Sequence, residues 1–413
     1  MKRPKVVHLS SVHPPFDPRI FHKEASSLVE AGYHVVIVAP HTRDEEVEGV
    51  RVKAVPRPGS RVKRMLATAW QVWRVGLSER AQLYHFHDPE LLFAGLVLKA
   101  LGRRVIYDVH EDLPKTFQIK EYLPGTLRRW AGRVANLVEK MGASKFDAIV
   151  AATDDIAGNF RNCRTVVTVR NYPRLSHLMA RANRELNRRK FRCAYVGALS
   201  EPRGVSEMVD SMALLNDLED VELILCGSFS PPAFEFEVRQ LDGFRRTDYR
   251  GWIDPLAVPN LLGEVDVGLV CIQPEDQYLT SLPTKLFEYM LAGLPVVASN
   301  FPFWREIVEA NHCGICVDPQ EPVEIAEAIR YLYGHPEARV EMGSNGRNAV
   351  LRQFNWESQS KVLLTLYAEL FQSKTGRPSL EQTLPESNPV EKAPVSLGPN
   401  RQVITRIEAD SNR

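Results

Sequence analysis

No uncharged apolar run in this 413-residue chain approaches the ~18 residues that a membrane-spanning helix needs; the run at 91–101 is interrupted by Lys99. The start, MKRPKVVHLSSVHPPF, is basic but lacks the apolar core of about 7–15 residues that marks a secretory signal, so a cytoplasmic location is expected. Cysteine is scarce. There are six, most of them in apolar, strand-like runs such as RCAYVG, LILCGS and GLVCIQ, which fits buried free thiols in a reducing compartment. HCGIC at 312–316 is a lone CxxC; a zinc site needs about four ligands and no second pair exists. Glycine is missing from the first predicted strand-to-helix turn, SSVHPPFDPR. A dinucleotide fingerprint needs glycines there so that backbone can approach pyrophosphate, so nicotinamide and flavin enzymes are disfavoured. GxxxxGK[ST] is absent as well, which argues against a P-loop nucleotidase. No DxD-type pair sits in a suitable loop, and neither a metal nor any other cofactor is expected.

What is present reads as an ordinary globular protein, 44% hydrophobic and 25% charged. At roughly 150 residues per domain the length suggests two domains with some to spare. The net charge of +1 conceals an asymmetry: residues 1–175 hold 28 Lys and Arg against 18 Asp and Glu, and the remainder holds 24 against 33. Two domains with different partners would produce this, as would chance.

Strand and helix patterns alternate along both halves. KVVHLSS, YHVVIVAP, VRVKAV, QLYHFH, RRVIYDVH and DAIVAAT are near-continuous apolar strands, the signature of a parallel sheet covered on both faces. Asp17 can cap a helix that has Pro18 at its first position and Phe21, Ala25, Leu28 and Val29 on one face, stopped by Gly32. A second series begins at RCAYVGAL and continues through VELILCGS, YRGW, VDVGLVCI, LPVVAS and GICV. The expected architecture is α/β, two doubly wound, Rossmann-like domains facing across a cleft. Residues 1–175 form the first domain, 176–190 a polar, basic linker, 191–355 the second domain and 356–371 a closing helix. The Pro- and Ser-rich, charged tail at 372–413 is expected to be disordered.

In open α/β sheets ligands gather at the carboxyl ends of strands, so polar residues there carry the functional argument. After YVGAL, Gly197 and Gly204 permit a tight loop, and Arg203 stands just before a helix start, where a phosphate is favoured. A solvated arginine beside a turn explains this loop equally well. In TKLFEYMLAG, Leu286, Phe287, Met290 and Leu291 are expected to pack inward, with Lys285, Glu288, Tyr289 and Ala292 on the other face. Lys285 and Glu288 read either as a surface pair worth ~0.2–0.5 kcal/mol or as a sugar-nucleotide grip. In the grip, Glu288 accepts from ribose hydroxyls while Lys285 and the first-turn N–H groups face the diphosphate. His85, His87 and His110 end neighbouring strands on the ligand edge.

At these residues the sequence resembles the family 4 glycosyltransferases, over about residues 4–370. KLFEYMLAGLPVVAS…REIVE looks like the family's E-x7-E block, with Glu288 as the second glutamate. YVGALSEPRGV is similar to its phosphate-binding loop, with Arg203 in the Lys position. YHFHDPEL and IYDVHED look like its two His-bearing segments, and FNWESQSKVLLTLYAEL resembles its last helix, which packs back on the first domain. The resemblance implies the GT-B fold and transfer from a nucleotide-diphosphate sugar with retention of configuration, without a metal. It places His110 beside the transferred sugar as a catalytic residue with Glu288. It also implies donor binding by Arg203, Gly204, Thr284, Lys285, Glu288 and Trp252, with Trp252 where the family's loop meets the base. Asp17, Arg19, His87, Asp88 and Glu111 are the acceptor-side candidates. Two departures stand out: the first Glu of E-x7-E falls at Thr280 and the usual phosphate-binding Arg at Ala198. The chain resembles an SLPxKLFEYM branch of surface-polysaccharide type, in which Lys285 supplies the missing positive charge.

The segments at 61–76 and 127–140 combine Arg and Lys with Trp and apolar residues at helical spacing, as helices at an anionic membrane surface do. Ordinary surface helices with Trp in the core give the same pattern. A glycan or lipid-diphosphate-linked acceptor in surface polysaccharide biosynthesis is the expectation, with peripheral attachment to the cytoplasmic face of the membrane and no nucleic-acid partner. A nucleotide-sugar epimerase on the same fold and a catalytically weak GT-B scaffold remain open alternatives.

Overall fold

The computed structural model describes residues 3–56, 67–110, 125–177 and 190–372. The expected tail at 372–413 lies almost wholly outside the described residues, as do Glu111, most of the linker and residues 61–66 of the segment at 61–76. The chain divides into two compact units. One comprises Met1–Arg174, Thr280–Leu282 and Phe354–Lys374; the other comprises Leu175–Leu279, Pro283–Gln353 and the remaining carboxyl-terminal residues.

The first unit is built on an eight-stranded sheet. Its strands are β1 (Lys5–Leu9), β2 (His34–Pro40), β3 (Glu45–Val47), β4 (Val50–Val55), β5 (Leu83–Phe86), β6 (Arg104–Val109), β7 (Ala148–Ala151) and β8 (Val166–Thr168), in the order β3-β4-β2-β1-β5-β6-β7-β8. All pairs are parallel except β3–β4. The sequence reading missed β3. Its residues are Glu-Glu-Val, too charged to read as a strand, and its turn is Glu48-Gly49, with both residues at positive φ. That is the mirror-image two-residue hairpin turn, usually announced by Asn-Gly.

Burial on both faces explains the continuous apolar strands. Val7, Leu9, Tyr84, Phe86 and Tyr107 fill one face. Val6, Ile37, Leu83 and Ile106 fill the other, where the helix Trp356–Gln372 lays down Trp356, Leu363, Leu366 and Tyr367. Trp356 is fully buried, its backbone N–H donates to the Pro173 carbonyl and its indole N–H donates to the Ser27 hydroxyl at 2.9 Å.

The second unit holds β9 (Phe191–Val196), β10 (Val221–Cys226), β11 (Thr247–Gly251), β12 (Val267–Val270), β13 (Val296–Ser299) and β14 (Gly314–Val317), in the order β11-β10-β9-β12-β13-β14. Counted from its own first strand this is 3-2-1-4-5-6, the doubly wound order of the Rossmann fold. The direction in which successive strands are added to the sheet reverses between β9 and β12, and in the first unit between β1 and β5. Ligands collect at such switch points. Four of the six free cysteines, Cys193, Cys226, Cys271 and Cys313, are buried.

Trp356→Ala removes the largest side chain that the last helix buries and is expected to cost ~3–5 kcal/mol. Native-state hydrogen exchange should then show amides of β1 and β2 losing protection while those of β9 and β10 keep theirs. Uniform loss in both sheets would contradict this assignment of the helix to the first unit.

Candidate functional site

At the first unit's switch point, alternation along three neighbouring strands brings one set of polar residues together. His8 pairs with His85 in register, and His85 with Ile106. Period-two alternation then places His8, His85 and Asp108 on the same face as Val6, Leu83 and Ile106. His87 and His110 follow just past the strand ends. From the loop after β1 come Arg19 and Glu24, held by a π-turn over Ile20–Ala25 in which the Glu24 N–H donates to the Arg19 carbonyl at 3.0 Å. Such turns recur at functional sites.

Asp108 is the hub. The Arg19 guanidinium forks onto it through Nε to Oδ2 and an Nη to Oδ1, both 3.0 Å, and its other Nη donates to the Val169 carbonyl at 2.8 Å. His87 Nδ1 donates to Asp108 Oδ2 at 3.2 Å, and His110 Nε2 lies 3.0 Å from the same oxygen. Burial alone would raise the Asp108 carboxyl. The Arg19 charge and the His110 and His87 N–H groups override it and hold it well below the usual carboxylate range. Glu24 goes the other way: burial and the Asp108 charge push it well above its ordinary value despite Arg19. Burial also lowers His8, His85 and His87, which are neutral. Arg19 and Asp108 thus form the central ion pair of this buried set.

Several acceptor-side expectations change here. Arg19 is buried with its guanidinium engaged inside the unit, so it does not face a ligand. His87 is buried between His8 and Asp108. Asp88 is buried too. Its Oδ2 accepts from the Ser10 hydroxyl at 2.9 Å and the Ser11 N–H at 2.6 Å, so it shapes the glycine-free first turn. Asp17 accepts from the N–H groups of Arg19 and Ile20 at 2.8 and 3.0 Å, the capping role. Its other oxygen meets His13 Nδ1 at 3.2 Å. His110 remains part-exposed at the mouth of the cluster. Beside it, ring centroids 5.3 Å apart, is His13, which the sequence reading overlooked. Burial lowers the His13 imidazole, but the Asp17 hydrogen bond and the charges of Asp88, Asp17 and Asp108 raise it overall.

His8, Glu24, His85 and His87 offer ligand atoms within 4.8 Å of one another, as do His87, Asp108 and His110. The Arg19 guanidinium, 3.0 Å from both Glu24 and Asp108, disfavours a divalent cation in either set.

The second unit's polar set stands at the end of β9. Gly197 has φ +147°, and a Cβ there would lie 2.5 Å from Lys285 Nζ. A glycine therefore lets the Lys285 side chain lie along the loop. Its ammonium sits 5.3 Å from the centre of the Tyr195 ring, and the Arg203 guanidinium sits 4.6 Å from that of Tyr278. Gly204 has φ +67°, and a Cβ there would meet the Cys271 carbonyl oxygen at 1.8 Å. Thr284 is the first residue of the helix Thr284–Leu291, and Lys285 and Glu288 are half-buried one turn apart. Tyr289 and Ala292, expected on the polar face, are buried: Tyr289 packs on Gly268 and accepts from the Val196 N–H at 3.0 Å. The helix lies between β12–β13 on one side and the helix Pro336–Arg352 on the other, so its apolar stripe is wider than the sequence pattern implied. Trp252 follows β11 and is 69% exposed.

Among the described residues no ion pair within 4.0 Å and no side-chain hydrogen bond engages Arg203, Lys285 or Glu288. Burial, then the Arg203 charge, pull the Lys285 ammonium down to about 8, with Glu288 opposing. Two uncompensated cations at a strand end, one partly desolvated, form a receptor for an anion.

Residues 19–173 match a "Glycosyl transferase 4-like domain" and residues 179–349 match "Glycosyl transferases group 1". The chain is 28% identical over 182 residues to spore coat protein SA of Bacillus subtilis, covering 42% of this chain and 47% of that one. It is 21% identical over 359 residues to phosphatidyl-myo-inositol mannosyltransferase of Mycobacterium leprae, covering 81% and 88%. The first match thus spans about half of that relative, the second most of it. Among solved structures, sucrose-phosphate synthase from Thermosynechococcus elongatus superposes with TM-score 0.73 at 19% identity, over 90% of this chain and 99% of that one. Anabaena Alr3699/HepE in complex with UDP superposes with TM-score 0.67 at 15% identity, over 89% and 100%. None of these proteins is described as an epimerase.

Lysine Nζ titration, followed by NMR after reductive 13C-methylation, should show one lysine with a midpoint near 8 that disappears in Lys285→Arg. Arg203→Gln removes a like charge and should raise that midpoint; Glu288→Gln removes an opposite charge and should lower it. A midpoint near 10.5 in the parent, unmoved by either change, would contradict the geometry.

Proposed function

The chain belongs to the family 4 glycosyltransferases with the GT-B fold, and on that premise we propose that it transfers a sugar with retention from a nucleotide-diphosphate donor to a glycan or lipid-linked acceptor of surface polysaccharide. The observation that carries the donor side is the unpaired Arg203 and Lys285 at the end of β9. Cleaving the sugar–phosphate bond builds negative charge on the departing diphosphate, and cations held ready at that position lower the barrier most. Lys285 takes the place of the arginine absent at Ala198. Glu288 accepts from sugar hydroxyls, with Gly204 shaping the loop at the donor, Thr284 offering its backbone N–H and Trp252 a ring for the base. UDP bound to the structural neighbour HepE supports a nucleotide donor. His110, the part-exposed member of the first unit's cluster, serves the transferred sugar, with Asp17 and Glu111 toward the acceptor.

Donor binding should show as thermal stabilisation by one member of a panel of nucleotide sugars, by about 2.7 kcal/mol at a hundredfold excess over Kd. Affinity should fall as pH rises through about 8, because neutral Lys285 no longer attracts the diphosphate. Glu288→Gln should slow transfer about 10- to 100-fold, the worth of a hydrogen bond to a charged group, and single-turnover product should keep the donor's anomeric configuration. Undiminished transfer by folded Glu288→Gln, or an inverted product, would refute the proposal.

The lipid-linked acceptor draws support from the helix Gly125–Ala143. Trp130, Val134, Leu137, Val138 and Met141 recur at helical spacing and are all exposed, Trp130 by 65%, with Arg133 beside them. Trp70 is also exposed, whereas Trp73 packs against the core of the first unit. An outward apolar stripe on a basic helix suits an anionic bilayer surface. The mannosyltransferase relative is named for a phosphatidylinositol acceptor. No helix among the described residues is long and apolar enough to cross a membrane. The protein should float with liposomes containing anionic lipid, and Trp130→Ser with Leu137→Ser should abolish flotation without loss of fold. Parental protein found entirely in the soluble fraction would remove this part of the reading.

A further inference from the structure

The buried cluster of the first unit contains more order than a store of polar side chains requires. A carboxylate only accepts, so ring nitrogens 3.0–3.2 Å from ionised Asp108 must carry protons. That assigns His110 as Nε2–H and His87 as Nδ1–H. Because His87 is neutral, its Nε2 is then a lone pair, and the His8 Nδ1 3.0 Å away must donate to it. His8 Nε2 is in turn an acceptor, facing the Tyr367 hydroxyl at 3.4 Å. Tyr367 spends its one proton there and accepts from His85 Nδ1 at 2.8 Å. The direction of every bond, from His85 through Tyr367, His8 and His87, is fixed by the charge at one end. The only ring nitrogen left over in the buried part is His85 Nε2, 4.0 Å from Asp108 Oδ2.

We infer that Asp108 is the positioning residue that sets the tautomer of His110, so that Nδ1 is the lone pair His110 offers to substrate. Nδ1 of His110 has no hydrogen-bond partner among the described residues, whereas Nε2 lies 3.0 Å from the carboxylate oxygen and 3.3 Å from His87 Nδ1, whose own proton already points to that carboxylate. A lone pair at that position accepts a hydrogen bond from a sugar or acceptor hydroxyl; the other tautomer would present an N–H and could not. The buried chain behind Asp108 contributes by filling its remaining lone pairs with donors, which keeps the carboxylate ionised and unable to rotate. Arg19 does the same from the opposite side. The inference rests on the proposal that His110 serves the transferred sugar, but the tautomer itself is a property of the unliganded protein.

The test is long-range 1H–15N NMR on the full chain labelled with 15N-histidine, His110 being assigned by its loss in His110→Gln. Parental His110 should carry its proton on Nε2. In Asp108→Asn the amide N–H₂ can donate, and the proton should move toward Nδ1. Turnover should fall about 100-fold, within the range general acid–base groups supply, with donor KM little changed. Asp108→Asn strands the Arg19 charge, so Arg19→Gln with Asp108→Asn, which removes both charges, is examined beside it and should show the same shift. A parental proton on Nδ1, a tautomer unmoved by either variant, or undiminished kcat after the tautomer has switched would each overturn the inference. A protein that transfers no sugar from any donor would defeat the proposed function, and the NMR result would still decide the tautomer.

Discussion

The ion pair between Arg19 and Asp108 governs the first unit. Both groups are buried, 89 residues apart in sequence, and joined by two parallel 3.0 Å bonds. Removing water from two charges costs several kcal/mol each, and a well-packed apolar pair of equal volume would often be as stable or more so. Stability alone therefore does not account for the pair. Its consequences do. Arg19 reaches the Val169 carbonyl as well, so one guanidinium ties the loop after β1, the end of β6 and the segment after β8. The Asp108 carboxylate, held low by Arg19, then acts on its neighbours: it accepts from His87 and helps push Glu24 up. Losing either charge alone would leave the other unpaired in the interior, a penalty of ~3–5 kcal/mol.

The second unit solves the opposite problem. There no carboxylate closes on either cation within 4 Å among the described residues, and the positive groups lie over aromatic rings instead. Ring faces attract a cation without neutralising it. The lowered Lys285 is the measure of the resulting tension: partial burial and a like charge both work against its ammonium. An anion entering this position restores what desolvation removed, so binding and ionisation of Lys285 reinforce each other. Gly197 makes the arrangement sterically possible, since any side chain there would occupy the space of the lysine.

How much of this could be read beforehand varies with the kind of residue. The apolar strands announced themselves, because burial on both faces leaves runs such as VVIVA with few other fates. β3 did not, since an edge strand pairs on one side only and tolerates Glu-Glu. Lys285 and Glu288 were visible through helical spacing, but Tyr289 was misassigned, because spacing on one helix cannot reveal that a sheet covers it on one side and another helix on the other. The largest omission was Asp108. It sits in IYDVHED two residues before His110, in the same phase, and His8 before Ser10 and His85 before His87 repeat that phase on adjacent strands. The signal was present as alternation, but it acquires meaning only when the sheet order is known. Arg19 looked like a loop residue facing a ligand. Its partner lies 89 positions away, and nothing local marks it as buried.

Charge then decides which unit suits which substrate group. The first unit's cluster sets Arg19 against Asp108, with imidazoles lowered by burial and a raised Glu24 around them. It can orient hydroxyls through a fixed lone pair but has no spare positive charge for a diphosphate. Its one raised imidazole, His13, is already matched by Asp17 and Asp88. The second unit has positive charge to spare and little else at the end of β9. A diphosphate placed on the first unit would meet the Asp108 and Asp88 carboxylates with no free cation to offset them. Placed on the second, it meets Arg203 and Lys285. The division of labour that we propose between donor and acceptor rests on two switch points of the same topology furnished with different charge.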